Sequence, residues 1–256
     1  MAKGEIYIGT SGWSYKHWKG IFYPDKMPAG KYLEYYISQF DCAELNASFY
    51  RLPTKNTIDS WSKLIPENFR LAVKLSRQIT HFKRLKDTED ELKTFMKLFE
   101  PLHDRMGPVL VQLPPSMKYD SDVAENFYKI LKNHYSGFTF VIEARHQSWF
   151  NEEAYNLAAK YNIGWTIAES GGHYPQEDVV TSDTVYVRFH GPGKSNKTGY
   201  TENELSVWSK KTKEWVKKKL NVWVFFNNDS EGHAIMNART FTELAKRKNH
   251  LLIDKT

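Results

Sequence analysis

The chain has 256 residues, 41% of them hydrophobic, and a formal net charge of +6 at pH 7. With its 14 glycines the apolar share is that of a folded globular chain, which excludes a disordered or collagen-like protein. The one cysteine, Cys42, excludes an intrachain disulfide, and the longest apolar run, 222–226, is far too short to cross a membrane.

Runs rich in β-branched and aromatic residues predict strands at 5–10, 42–47, 70–75, 109–113, 138–144, 163–168, 184–189 and 221–226. Their starts lie 21 to 39 residues apart, room for a helix and two loops but too far for hairpins. Helical patterns fill most of the gaps. Residues 32–40 form the first; Ile58, Trp61 and Leu64 mark the second. Asp87 is read as the N-cap of a third, carrying Leu92, Phe95, Met96 and Phe99. Val123, Phe127, Ile130 and Leu131 make a fourth stripe, and Asn151 caps a fifth helix ending near Tyr161. Residues 170–183 read as a loop. Thr201 with Glu204 forms a capping box ahead of Leu205, Trp208 and Trp215, and 238–246 reads as the last helix.

Strands alternating with helices predict an α/β chain. No linker, repeat or low-complexity tract suggests a boundary, so residues 1–256 are read as a single domain. No Gly-x-Gly-x-x-Gly and no phosphate-loop signature is present, which removes the main support for a dinucleotide-binding sheet. A single (β/α)8 TIM-type barrel of typical length fits best. The N-terminal residues run straight into the first strand with no leader-like stretch, and with one cysteine a cytoplasmic location is the expectation.

Side chains alternate along a strand. On five strands one face is apolar throughout, and the other turns polar only near its C-terminal end. That second face carries Glu44 and Asn46, Lys74, Gln112, Glu143 and Arg145, then Arg188 and His190. In a barrel it is the lumen, and its C-terminal mouth is where active sites lie. The competing reading is a salt-bridge network that only plugs the barrel. Buried ion networks stabilise poorly relative to apolar packing, which favours a site.

Two carboxylates against three permanent cations make the mouth positive and suit a phosphate or carboxylate. Glu44 and Glu143 are candidate acid and base, and His190 a candidate proton shuttle. Asn46, Lys74, Gln112, Arg145, Arg188, Asn227, Trp13 and Tyr15 are candidate substrate contacts. Glu44, Glu143 and His190, with Glu169 or Asp229, could ligate a divalent ion, but their spacing is no metal motif and none is assigned. Nothing specifies a cofactor.

Trp13, Tyr15, Trp18, Phe22 and Tyr23 follow the first strand between lysines; as exposed rings they could stack on bases, and as packed rings they form a lid. Residues 210–219 hold six lysines and one glutamate, so most of the surplus charge is one patch, read as the solvated face of an outer helix. Cys42 reads as a small core residue. His17, His81, His146, His173 and His233 read as loop residues of no special role.

Several segments carry a resemblance: Gly9-Thr10-Ser11-Gly12-Trp13-Ser14-Tyr15, Phe22-Tyr23-Pro24, Glu44 through Pro53, Gly107 through Pro115, Glu143-Ala144-Arg145-His146, Val187-Arg188-Phe189-His190-Gly191 and Phe225-Phe226-Asn227-Asn228-Asp229. In this order they resemble the YecE-like domain-of-unknown-function family, number 72. The resemblance implies a (β/α)8-type barrel and no established activity. Two positions depart from the family pattern: Glu169 where aspartate is expected, and Ala47 where serine is common. The function read from the residues is an enzyme acting on a small phosphorylated or carboxylated substrate at the mouth, with hydrolysis the leading reaction class. The alternatives are a nucleic-acid-binding or DNA-processing protein that draws a flipped base into the mouth, and a non-catalytic metabolite binder. The sequence leaves the oligomeric state open.

Overall fold

The computed structural model describes residues 4–193 and 198–246, so the sequence reading of residues 1–3 lies outside them. Eight strands, β1 (Ile6–Thr10), β2 (Cys42–Leu45), β3 (Arg70–Lys74), β4 (Met106–Gln112), β5 (Phe140–Glu143), β6 (Gly164–Glu169), β7 (Thr184–Phe189) and β8 (Asn221–Phe226), pair in parallel in one sheet. The order runs β1-β8-β7-β6-β5-β4-β3-β2. At the remaining seam Ser11 bridges to Glu44, and Gly12 N–H donates to the Glu44 carbonyl at 2.8 Å. The sheet thereby curls into a nearly closed barrel of the (β/α)8 type.

The α-helices among the described residues are α1 (Tyr32–Ile37), α2 (Ala47–Tyr50), α3 (Lys55–Leu64), α4 (Glu89–Phe99), α5 (Ser121–His134), α6 (Glu152–Lys160), α7 (Glu202–Lys217) and α8 (His233–Lys246). Asn151 caps α6 by accepting from Ala154 N–H, and Thr201 with Glu204 forms both halves of a capping box on α7. Residues 170–183 carry no helix. Two of the boundaries that differ from the sequence reading have a local cause. Asp87 is not the cap of α4: its φ is 49°, and Thr88 holds the N-cap position without a side-chain bond. The second strand stops at Leu45, because Asn46 turns helical (φ −87°, ψ −23°) and opens α2.

The strand faces separate as alternation requires. Cys42, Ala72, Leu110, Val141, Tyr186, Trp223 and Phe225 form an inner cluster, with Tyr7 packed against it. The opposite faces, such as Val73, Val111, Ile142 and Val187, join the larger core under the helices. Going up each strand, the lumen changes from this apolar cluster to the polar residues of the mouth. Cys42 is a buried core residue at the start of β2, and burial pushes its thiol well above the usual value.

Gly9 makes the seam possible. A Cβ there would sit 2.3 Å from the Cys42 carbonyl oxygen, which is backbone and cannot swing aside. Gly9→Ala is therefore expected to spread β1 from β2 and cost about 3 kcal/mol, as overpacking in a core does. Chemical denaturation of the variant, with an unchanged midpoint as the contrary result, checks this.

Candidate functional site

The C-terminal mouth opens into a cavity of about 540 Å³. Of the residues singled out in the sequence, Tyr15, Asn46, Lys74, Gln112, Arg145, Arg188, His190 and Asn227 line it. Glu44, Glu143 and Trp13 do not. Both carboxylates are fully buried behind the arginines, and Trp13 packs edge-on against Trp61, ring centroids 5.5 Å apart.

Arg188, 1% exposed, organises the floor. Its Nε and Nη2 donate to Glu44 Oε2 and Oε1, each at 2.9 Å, a two-pronged pair. Its Nη1 donates to Glu143 Oε2 at 2.6 Å. Ser11 Oγ and Tyr186 Oη supply two more donors to Glu44, at 2.6 and 2.7 Å. Glu143 Oε1 takes Arg145 Nε and Nη2 at 2.8 and 2.7 Å. All four carboxylate oxygens are thus filled by protein donors. Burial raises the Glu143 carboxyl, but the charges of Arg188 and Arg145 outweigh it and hold the group well below the usual carboxylate range.

His190 is held as firmly. Its Nε2 lies 3.4 Å from Arg188 Nη1, and its Nδ1 lies 3.0 Å from the Asn227 side-chain amide. Both neighbours of the ring, the Arg188 guanidinium and the Asn227 Nδ2 amide, are hydrogen-bond donors. Burial, reinforced by Arg188, pushes the imidazole down to about 3. The ring is neutral at physiological pH.

Lys74 differs from the two arginines. It is 8% exposed and makes no ion pair or side-chain hydrogen bond among the described residues. Its Nζ sits 4.0 Å above the Phe49 ring. Burial, with Arg188 adding repulsion, lowers the ammonium to about 7. Lys74 is therefore not the permanent cation that its residue type suggests. Ser48 Oγ donates to the Lys74 carbonyl at 2.7 Å and ties the end of β3 to α2.

Asn46 Oδ1 and Gln112 Oε1 are buried acceptors with no donor among the described residues. Orphaned acceptors are costly, and those facing a cavity invite a ligand with a hydroxyl or N–H group. Arg145 keeps donors free, stacks at 4.3 Å on the Tyr174 ring and remains 15% exposed at its side chain.

Sequence reasoning did not single out Phe49, Tyr50, Ser170 or Tyr174 as part of the wall, and treated His81 and His173 as incidental. All six follow the C-terminal ends of β2, β3 or β6, and that position was the available signal. Burial and the nearby Lys74 charge lower the His81 imidazole to about 4.

The aromatic segment after β1 is packed, not exposed. Trp18 and Tyr23 are at most 1% exposed, Tyr23 stacks on Tyr32 at 4.0 Å, and the Tyr23 hydroxyl donates to the Trp13 carbonyl. Trp18 Nε1 donates to the Asp229 carbonyl at 3.3 Å and fastens this lid to the loop after β8. Tyr15 alone of its rings reaches the cavity, with its hydroxyl donated to the Ser11 carbonyl at 2.6 Å. The lysines of 210–219 lie toward the C-terminal end of α7, which leads into the start of β8 at the end of the barrel away from the mouth. Among them, Lys211 pairs with Asp178 and Lys217 with Glu214.

Among the described residues no three His, Cys, Asp or Glu side chains come together as a metal site. The set considered from sequence is not assembled, because arginines occupy the oxygens of Glu44 and Glu143, and Glu169 accepts from Gly171 N–H and the Tyr200 hydroxyl. No helix among the described residues is long and apolar enough to cross a membrane.

The chain is 29% identical over 272 residues to the UPF0759 protein YunF of Bacillus subtilis, covering 93% of this chain and 94% of that protein. It is 27% identical over 145 residues to the UPF0759 protein YecE of Escherichia coli, across 57% of this chain and 50% of that protein. The crystal structure of a DUF72 family protein from Thermotoga maritima superposes with a TM-score of 0.84 at 27% identity, covering 95% of this chain and all (100%) of that one. One from Enterococcus faecalis shares the fold at a TM-score of 0.81 and 20% identity, over 95% and 96% of the two chains. The model of the protein family of unknown function DUF72 matches residues 7–256, and the chain belongs to that family.

Proposed function

We propose that the barrel mouth binds a small molecule bearing a carboxylate or phosphate and that the protein is an enzyme acting on it. The observation that carries this reading is the charge balance of the floor. Arg188 is committed to both buried carboxylates and Arg145 shares one of them, so Lys74 and the free donors of Arg145 face the cavity with no acidic partner. A monoanion satisfies that surplus and accepts charge-assisted hydrogen bonds. The unfilled acceptors of Asn46 and Gln112 favour a ligand that also carries hydroxyl or N–H groups.

Glu44, Glu143 and Arg188 then act as the frame that aims Arg145 and His190. Against hydrolysis by Glu44, Glu143 or His190 stands their commitment: both carboxylates are saturated by protein donors, and His190 Nε2 faces a guanidinium. The supported reading is therefore binding and turnover of an anion, with the reaction class resting on the groups left free.

The test compares melting temperatures in phosphate or sulfate with chloride at matched ionic strength. An anion at a hundredfold excess over its Kd contributes about 2.7 kcal/mol, a rise of several degrees for a chain of this size. That rise is expected to shrink in Lys74→Met and in Arg145→Gln. No rise, or an equal rise in both variants, overturns the anion site; stabilisation by manganese with none from phosphate would favour a metal site instead.

A further inference from the structure

One nucleophile remains uncommitted at the bottom of the cavity. Lys74 emerges from the C-terminal end of β3 with its Nζ over the Phe49 ring, inside the mouth and out of bulk water. A lysine that only holds an anion is ordinarily kept charged by a carboxylate alongside it. Here both nearby carboxylates are turned to arginines, so the charged form has no partner before a ligand arrives. A compact amine in such a setting exists in good part as the free base, the form that attacks carbonyl carbon. Around it stand a cation for an anionic group, Arg145, and an orphaned acceptor, the Gln112 side-chain oxygen.

Resting on the anion reading above, we infer that Lys74 is the nucleophilic amine of this mouth, condensing through Nζ with the carbonyl carbon of a small aldehyde or ketone that also carries a carboxylate or phosphate. The Nζ lone pair forms the C–N bond while the carbonyl π pair moves onto oxygen. One proton leaves nitrogen and one is gained by oxygen, giving a neutral carbinolamine. Its new hydroxyl is the donor that the Gln112 oxygen lacks. Loss of that hydroxyl with the remaining N–H proton releases water and leaves the C=N bond. No oxidant or reductant takes part. Arg145 holds the anionic group, and neutral His190 adds no charge that would hold Lys74 protonated. Lowering of the ammonium to about 7 by burial and Arg188 makes the free amine abundant at neutral pH.

The experiment is reductive trapping on the whole protein. It is incubated with pyruvate, with glyceraldehyde 3-phosphate, or with acetone as the uncharged analogue, then treated with sodium borohydride, which reduces any C=N bond to a stable secondary amine. Peptide mass spectrometry locates the modified lysines. The expected result is near-complete modification of Lys74 by at least one anionic probe, at least tenfold above any surface lysine. Excess inorganic phosphate should suppress it, acetone should not give it, and Lys74→Met should abolish it. The two anionic arms distinguish a carboxylate-bearing from a phosphate-bearing substrate. Labelling of Lys74 no greater than that of surface lysines overturns the inference. If phosphate still raises the melting temperature of that sample, the anion reading stands without it; if it does not, the anion reading fails separately. Equal labelling by acetone overturns the anionic half of the substrate class.

Discussion

Arg188→Met is expected to remove most of the stability of the barrel. The guanidinium bridges two carboxylates that are 0% exposed, and without it both remain in the interior. Glu143 would keep Arg145, and Glu44 would keep only the neutral donors Ser11 and Tyr186. Breaking one buried pair by deleting a partner costs about 3–5 kcal/mol, a large share of the ~5–15 kcal/mol that holds a typical domain together. Two pairs are broken here, so the folded fraction at neutral pH should fall sharply and denaturant midpoints should drop. Glu44→Gln placed in the same chain removes the stranded charge and should restore part of the loss. Double-mutant analysis by urea unfolding reads that coupling, and strict additivity would mean that Arg188 and Glu44 do not depend on each other. In the unmutated chain the lowered Glu143 carboxyl contributes stability that is complete above its ordinary value of 4.5 and declines as pH falls toward its folded value. Acid should therefore narrow the gap between the unmutated protein and Arg188→Met.

The same residues show what a sequence can and cannot convey. Alternation alone placed Glu44, Lys74, Gln112, Glu143, Arg188 and His190 on the lumen face, because the two-residue period is a local property of extended backbone. Which charge pairs with which is decided across the barrel: Glu44 and Arg188 are 144 residues apart and meet only when the sheet curls. A count of charged side chains therefore made both carboxylates look available for acid–base work, whereas the fold commits them to arginines. Composition likewise left 13–23 between a packed lid and exposed stacking rings. Their burial follows from α1 and the loop after β8, against which they pack. Asp87 has the chemistry of a cap, but a left-handed turn over Arg84, Leu85 and Asp87 shifts the helix start to Glu89. The wall residues Tyr50, His81 and Tyr174 sit in short segments after strand ends, Tyr50 closing the four-residue α2, whose paths no periodicity encodes.

Lys74→Met is expected to work in the opposite direction and stabilise the protein. A lysine ordinarily titrates at 10.5, and this one is lowered to about 7 by burial and by Arg188. A displacement of that size corresponds to a cost of about 4–5 kcal/mol for keeping the charged form folded. The sign follows from proton counts. Below pH 7 the folded and unfolded chains both carry the proton, and the folded state bears the whole cost. Between about 7 and 10.5 the unfolded chain binds more protons than the folded one, so stability rises with pH; above 10.5 both are neutral and the cost is gone. Methionine has a similar length, is apolar and can rest on the Phe49 ring where Nζ now sits. The variant should therefore exceed the unmutated protein by up to about 4 kcal/mol near neutral pH, with the advantage vanishing toward pH 10.5. Urea unfolding across that range measures it. A gain that shrinks as pH rises identifies Lys74 as a group held in the mouth at the expense of stability, the pattern of a residue kept for chemistry. A flat difference, or a loss, would make it an ordinary packing residue and would remove the free amine on which condensation with a carbonyl depends.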